Sequence, residues 1–363
     1  MTEPLRFAFF GSSLVSAYWN GACTYYRGLI HALHDRGHRI TFLEPHAYER
    51  QEHRDIPDPD WARVVVYEPR GEDAVRQVVR SAAGADVVVK CSGVGVYDDV
   101  LESAVLDLPS SSLKVFWDVD APATLTAIEG GDLPELRELI AGYDLVLTYG
   151  GDDPVRRRYQ DLGARRCVAV YNALEPLTHH PVPPRHDLSC DLLFVGNRLP
   201  DREARVHEFF FGAAAASPRR SFMLGGSGWS TEEFANVISL GHVSPQDHNV
   251  LNCSARAVLN VTRESMAVNG FSPPTRIFEA VGAGACLITD EWEGIDMFLE
   301  PGEQILVAAD GPQVAALVDE LDPARARGIG EAGRARLLRE HTYARRAAQV
   351  EDLMMSHRQR PIA

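Results

Sequence analysis

Short β-branched or apolar runs alternate along the chain with stretches whose apolar positions recur at helical spacing. The first run, 6–10, leads through a Gly-Ser loop into a helical stretch at 22–36 and a second run at 38–43, a βαβ opening. Further strand candidates stand at 63–67, 86–91, 114–118, 144–149 and 167–171, most of them separated by helical patterns. Such alternation predicts a parallel sheet covered by helices on both faces. Residues 176–187 then carry four prolines and can form neither helix nor central strand, so they read as an interdomain linker. Beyond them the alternation restarts, with strands expected at 190–196, 221–224, 257–261, 285–290 and 304–307 and a polar helix at 201–216. The tail, 312–357, is helical in pattern with a break expected at the glycine-rich stretch 328–333.

A chain of 363 residues exceeds what one hydrophobic core organises, about 250 to 300 residues. The expected division is therefore an N-terminal domain at 1–178, a linker at 179–188 and a C-terminal domain at 189–342, with a helix at 343–363 packing back on the first. Two doubly wound sheets so joined would turn the carboxyl ends of their strands toward one central cleft, where open α/β sheets bind ligands.

Composition narrows the function. The 36 basic and 51 acidic residues leave a net charge of -15, which repels nucleic acid and anionic lipid while allowing a local basic pocket for one small phosphate ligand. Only Lys90 and Lys114 among the basic residues are lysines, so the cations are planar forks suited to phosphate. Six cysteines without a CxxC pair fit reduced thiols and a cytoplasmic location. No stretch reaches the roughly 18 apolar residues of a membrane span.

The segment 259–290 reads as strand, long polar loop, helix and strand. Its loop enters the helix through Pro274 and Thr275, leaving backbone N–H groups free to meet an anion. Arg276 would add a charge-assisted fork, and Glu279 one turn on would accept hydrogen bonds from ribose hydroxyls; a phosphate beside a ribose is a nucleotide. The competing reading pairs Arg276 with Glu279 and lets the carboxylate complement the helix dipole. Asp118 and Asp120, after an apolar strand, offer either a divalent-metal pair or a general base. Gly11, Ser12, Ser13, Asn20 and Gly21 form a flexible polar loop after the first strand. Trp19, Tyr25 and Tyr26 could stack on a sugar or an aromatic acceptor, or pack in the core. GxSxG, GxxxxGK[ST] and HExxH are absent, and the loop after the first strand does not have the GxGxxG spacing of the dinucleotide fingerprint.

Residues 276–290 (RIFEAVGAGACLITD), followed by 297–305 (MFLEPGEQI), resemble the donor-site signature of GT-B glycosyltransferases of the family 4-like kind, especially the group of the spore maturation protein CgeB. Residues 190–197 (CDLLFVGN), 239–246 (SLGHVSPQ) and Asp120-Ala-Pro122 are similar to that group as well. The resemblance implies an α/β GT-B fold, two doubly wound Rossmann-like domains facing a central cleft. It implies hexosyl transfer from a nucleotide diphosphate sugar to an acceptor hydroxyl, with no cofactor and no metal and with a UDP-sugar favoured by analogy. The N-terminal domain would be the acceptor side, and the acceptor itself a glycan, lipid-linked sugar, small metabolite or protein. Glu279 becomes the ribose carboxylate, and Arg276 with Pro274 and Thr275 the diphosphate clamp. Gly241, His242 and Val243 would line the base pocket, and Gly196, Asn197 and Arg198 would approach the diphosphate or sugar. Asp118 and Asp120 become the candidate general bases. The sequence departs from the family at Phe271, where many retaining members carry a second Glu eight positions before the ribose Glu; Glu264 lies in the same loop at another spacing. Two other functions fit the same nucleotide site: a sugar-nucleotide epimerase or hydrolase, and a non-catalytic binder.

Overall fold

The computed structural model describes residues 3–18, 20–263, 266–267 and 270–358; Trp19, Glu264 and Asn269 lie outside them. The chain forms two compact units, one from the residues up to Tyr171 together with those from Tyr343 on, the other Asn172–Thr342.

The first unit holds a parallel sheet of β1 (Arg6–Phe10), β2 (Arg39–Pro45), β3 (Arg63–Tyr67), β4 (Val87–Cys91), β5 (Leu113–Asp118), β6 (Leu145–Thr148) and β7 (Cys167–Ala169). Their order is β3-β2-β1-β4-β5-β6-β7, with Phe9 registered on Phe42 on one side and Val89 on the other. Side chains alternate between two buried faces. Ala8, Phe10, Val88, Phe116 and Val146 share one core cluster. The opposite face carries Phe9 and Trp117 toward the helix Cys23–Asp35, where Trp117 Nε1 donates to Tyr25 Oη at 3.1 Å and Tyr25 Oη donates to Val170 O at 2.6 Å. Tyr25 and Tyr26 are thus core residues. The C-terminal helix Tyr343–Arg358 lies on the same helix, and a Cβ at Gly28 would meet the Tyr343 ring at 2.3 Å.

The second unit holds β8 (Leu192–Val195), β9 (Phe222–Gly225), β10 (Val237–Gly241), β11 (Ala257–Asn260), β12 (Leu287–Asp290) and β13 (Leu306–Ala308), in the order β10-β9-β8-β11-β12-β13. Strand β10 has no counterpart in the sequence expectations. It is the sheet edge and leaves Ile238 53% exposed, so its pattern lacks the burial that marks the central strands.

Two further expectations are corrected. The helix Pro323–Glu340 runs unbroken through Gly328, Gly330 and Gly333. A Cβ at Gly330 would stand 2.2 Å from Gly284 O and one at Gly333 2.7 Å from Gln304 O, so these glycines admit close backbone approach rather than ending the helix. The proline-rich stretch belongs to the second unit: Val182 N donates to Cys253 Sγ, Arg185 N to Ser254 Oγ and Asn249 Nδ2 to Thr178 O. Prolines keep it extended, and those hydrogen bonds bind it to the helix His248–Ser254. Among the described residues, no helix is long and apolar enough to cross a membrane.

Candidate functional site

In the second unit the strand order reverses between β8 and β11, so the loops leaving those strands diverge and open a crevice at their carboxyl ends. After β8 come Gly196, Asn197 and Arg198. Asn197 Oδ1 accepts from Ser227 N at 2.9 Å, and Gly196 O accepts from Trp229 Nε1 at 2.7 Å. The turn after β9, Gly225 to Trp229, therefore buttresses the β8 loop. A Cβ at Gly226 would stand 2.2 Å from Gly196 O, and Gly226 has φ +129°, so only glycine fits there. Gly226 N also donates to Gly241 O at 2.6 Å, which brings in the end of β10, where Gly241 and His242 are exposed and Val243 packs on Gly225.

From the other side of the crevice comes the helix Thr275–Gly282, whose N-cap is Pro274 in an extended conformation and whose first amides receive no side-chain cap. Its polar side chains at Arg276 and Glu279 are half-buried, whereas Ile277, Phe278, Ala280 and Val281 fill the core. The preceding loop is pinned: Phe271 N donates to Glu293 O at 2.7 Å, and Phe271 holds φ +45°, a conformation costly to a residue with a Cβ.

The Arg276 guanidinium lies 6.0 Å from the Phe194 ring centroid. A second guanidinium, that of Arg202, lies 5.6 Å from the same centroid and donates to Asn197 O at 2.8 Å. Arg202 stands near the start of the helix Pro200–Val206, and a Cβ at Gly196 would meet its Nη2 at 2.7 Å. Among the described residues neither guanidinium forms an ion pair with a carboxylate, and Arg202 Nε is buried with no partner. Burial, reinforced by Arg276, pushes the Arg202 guanidinium down to about 10. Burial likewise lowers Arg276, opposed by Glu279. At the start of the helix His248–Ser254, His248 is pushed down by burial, opposed by Glu279 and reinforced by Arg276 and His179. Two desolvated like charges on one ring, beside uncapped helix amides, form a site that an anion would relax.

Arg202, His248 and the Gly225–Trp229 turn are absent from the sequence expectations. The Gly-Gly-Ser-Gly-Trp run after a strand was a visible signal for the turn, while nothing local marks Arg202 or His248. Arg198 departs from expectation: it is exposed and pairs with Glu203 at 2.7 Å.

In the first unit the two aspartates part company. Asp118 is fully buried and its oxygens accept from Ser92 Oγ, Thr124 Oγ1, Asp120 N and Tyr159 Oη. A carboxylate so enclosed anchors the loop instead of meeting an acceptor, which corrects its assignment as a base. Asp120 is exposed at the N-cap of the helix Ala121–Gly130. Pointing one inward and one outward, they do not form a matched metal pair. The loop at Gly11, Ser12, Ser13, Asn20 and Gly21 is corrected as well, because it is wired rather than flexible. Buried Glu44 accepts from Ser13 Oγ at 3.0 Å and from Leu14 N at 2.6 Å, and Asn20 Nδ2 donates to Ser13 O at 2.7 Å. Only Gly21 of the five is well exposed.

Residues 202–352 match a family model described as glycosyl transferase-like. No curated protein matches the chain. Among solved structures, sucrose-phosphate synthase from Thermosynechococcus elongatus is 14% identical with a TM-score of 0.69, over 97% of this chain and 98% of that one. Anabaena HepE in complex with UDP and glucose is 14% identical with a TM-score of 0.67, over 97% and 100%. The lipopolysaccharide outer core galactosyltransferase WaaB is 15% identical with a TM-score of 0.62, over 97% and 99%. The fold is that of the GT-B glycosyltransferases, two Rossmann-like α/β units.

Proposed function

We propose that this protein transfers a sugar, of the hexosyl kind, from a nucleoside diphosphate sugar to an acceptor hydroxyl, the second unit holding the donor and the first unit the acceptor. The convergence of Arg202 and Arg276 on Phe194, with no ion pair to a carboxylate among the described residues, carries the reading. The family match over 202–352 and the UDP bound by the neighbour HepE support it and favour uridine. In this reading the two guanidiniums and the amides of Thr275 and Arg276 take up the charge that grows on the departing diphosphate, with no metal ion needed. Glu279 accepts from the ribose hydroxyls, and the loops at Gly196 and Gly241 to Val243 border the phosphates and base. The anomeric carbon–oxygen bond to diphosphate breaks with its electron pair going to the leaving group. The acceptor oxygen bonds that carbon and its proton passes to a base. Asp120 is the exposed candidate for an inverting reaction.

The test is a thermal-shift screen of nucleoside diphosphates and their sugars with and without chelator, followed by calorimetry on Glu279→Ala. A diphosphate-specific rise in melting temperature that survives chelation, and much weaker binding by the variant, are expected. Equal affinity in wild type and variant would remove the ribose assignment. Consumption of donor without an acceptor would mark a hydrolase or epimerase, and binding without turnover a non-catalytic binder.

A further inference from the structure

The first unit has a switch point of its own, between β1 and β4, and the loops that flank it carry three exposed apolar side chains. Tyr18 follows β1, Tyr48 follows β2 and Val94 follows β4, with relative exposures of 38%, 50% and 57%. The two tyrosines are held in place. Tyr48 Oη donates to Gly95 O at 3.2 Å, tying the β2 loop to the β4 loop. The guanidinium of fully buried Arg50 lies 4.9 Å from the Tyr48 centroid and donates through Nε to Tyr18 O at 3.3 Å and through Nη1 to Ser12 O at 3.4 Å. The Tyr18 ring stacks on His53 at 4.2 Å and 27°. Tyr48 and Glu49 both hold left-handed backbone, at φ +55° and +56°, which persists only where the surroundings over-determine it.

We propose that Tyr18, Tyr48 and Val94 form a binding platform for a neutral molecule with an aromatic ring beside its hydroxyl, the acceptor of the transfer reaction. As an acceptor site it rests on the reading above; as a binding site it stands alone. Arg50 already draws on the negative quadrupole of the Tyr48 ring, so the open face is a poor seat for a cation. Exposed Glu49 and Glu52 on the same loop, within a chain of net charge -15, repel an anion. What remains is a neutral partner, and a ring polarised by a guanidinium stacks better on an electron-rich aromatic face than on a saturated ring. The β4 loop that carries Val94 is tied to the loop of the candidate base, because Ser92 Oγ accepts from Val119 N, the residue before Asp120, at 2.9 Å. In transfer, the aryl-bearing hydroxyl would give its proton to the Asp120 carboxylate as its oxygen bonds the anomeric carbon and the diphosphate leaves with the electron pair.

The test uses ligand-detected NMR on the full chain with naphthol, cyclohexanol, methyl glucoside and benzoate as probes. Naphthol binding is expected to exceed the other three and to weaken about tenfold in Tyr48→Ala, while Tyr48→Phe stays within about twofold. Val94→Asp, at an exposed position on a different loop, should weaken naphthol as well and guards against misfolding of the tyrosine variants. Nucleoside diphosphate binding, measured in parallel, should be unchanged by all three substitutions. Naphthol that does not bind, that binds equally to Tyr48→Ala and Val94→Asp, or that is outcompeted by methyl glucoside would overturn the platform. Naphthol that behaves as expected while no diphosphate binds would uphold the platform and sink sugar transfer instead.

Discussion

Arg202 and Arg276 lean on the same ring, that of Phe194, at 5.6 and 6.0 Å from its centroid, although they come from helices on opposite sides of the strand-order reversal. Like charges so placed are unfavourable until an anion arrives. Replacing Arg202 by Met should therefore leave the unliganded protein at least as stable, while diphosphate affinity falls about ten- to a hundredfold, roughly 1.4 to 2.7 kcal/mol. Melting curves and calorimetry on one sample test both halves, and unchanged affinity would remove Arg202 from the site.

The separation of Asp118 from Asp120 predicts opposite phenotypes. Asp118→Asn removes a buried charged acceptor from Tyr159, Ser92 and Thr124 and should cost about 3 kcal/mol of stability in the first unit. Asp120→Asn should cost less stability than Asp118→Asn and lower kcat far more than KM. Matching losses of stability in the two variants would contradict this division.

A pH effect is expected from Glu102. Burial raises its carboxyl from 4.5 to about 7, against the opposing pull of the Lys90 ammonium. A folded-state value above the unfolded one means that the native state holds the proton more tightly. The group's contribution is therefore complete below pH 4.5 and disappears as pH rises through about 7. Its size is on the order of 3 kcal/mol. Denaturation of the wild type between those limits should show that slope, and Glu102→Gln should flatten it.

Two glycines in one helix should respond in opposite directions. Gly330→Ala drives a Cβ into Gly284 O at 2.2 Å, a backbone atom that cannot swing aside, and should destabilise the second unit by about 2 to 4 kcal/mol. Gly328→Ala meets nothing within 4 Å and should stabilise the same helix by up to about 1 kcal/mol. Urea midpoints compare them directly.

Much of the architecture was legible from local pattern. Runs such as Phe7 to Phe10 and Val87 to Val89 are apolar on both faces, and only a strand between two helical layers makes use of that. The helix bearing Arg276 and Glu279 was equally visible, because a loop ending in proline followed by alternating core and polar positions is a property of the chain itself. The tertiary structure decided what local pattern cannot encode. Strand order placed Arg202 beside Arg276, packing turned Asp118 inward and left Asp120 outside, and backbone contacts with Gly284 and Gln304 let a helix run through glycines that locally read as a break. Periodicity records whether a position is buried, whereas the partner it meets is set by which elements become neighbours, and that is fixed only when the sheets assemble.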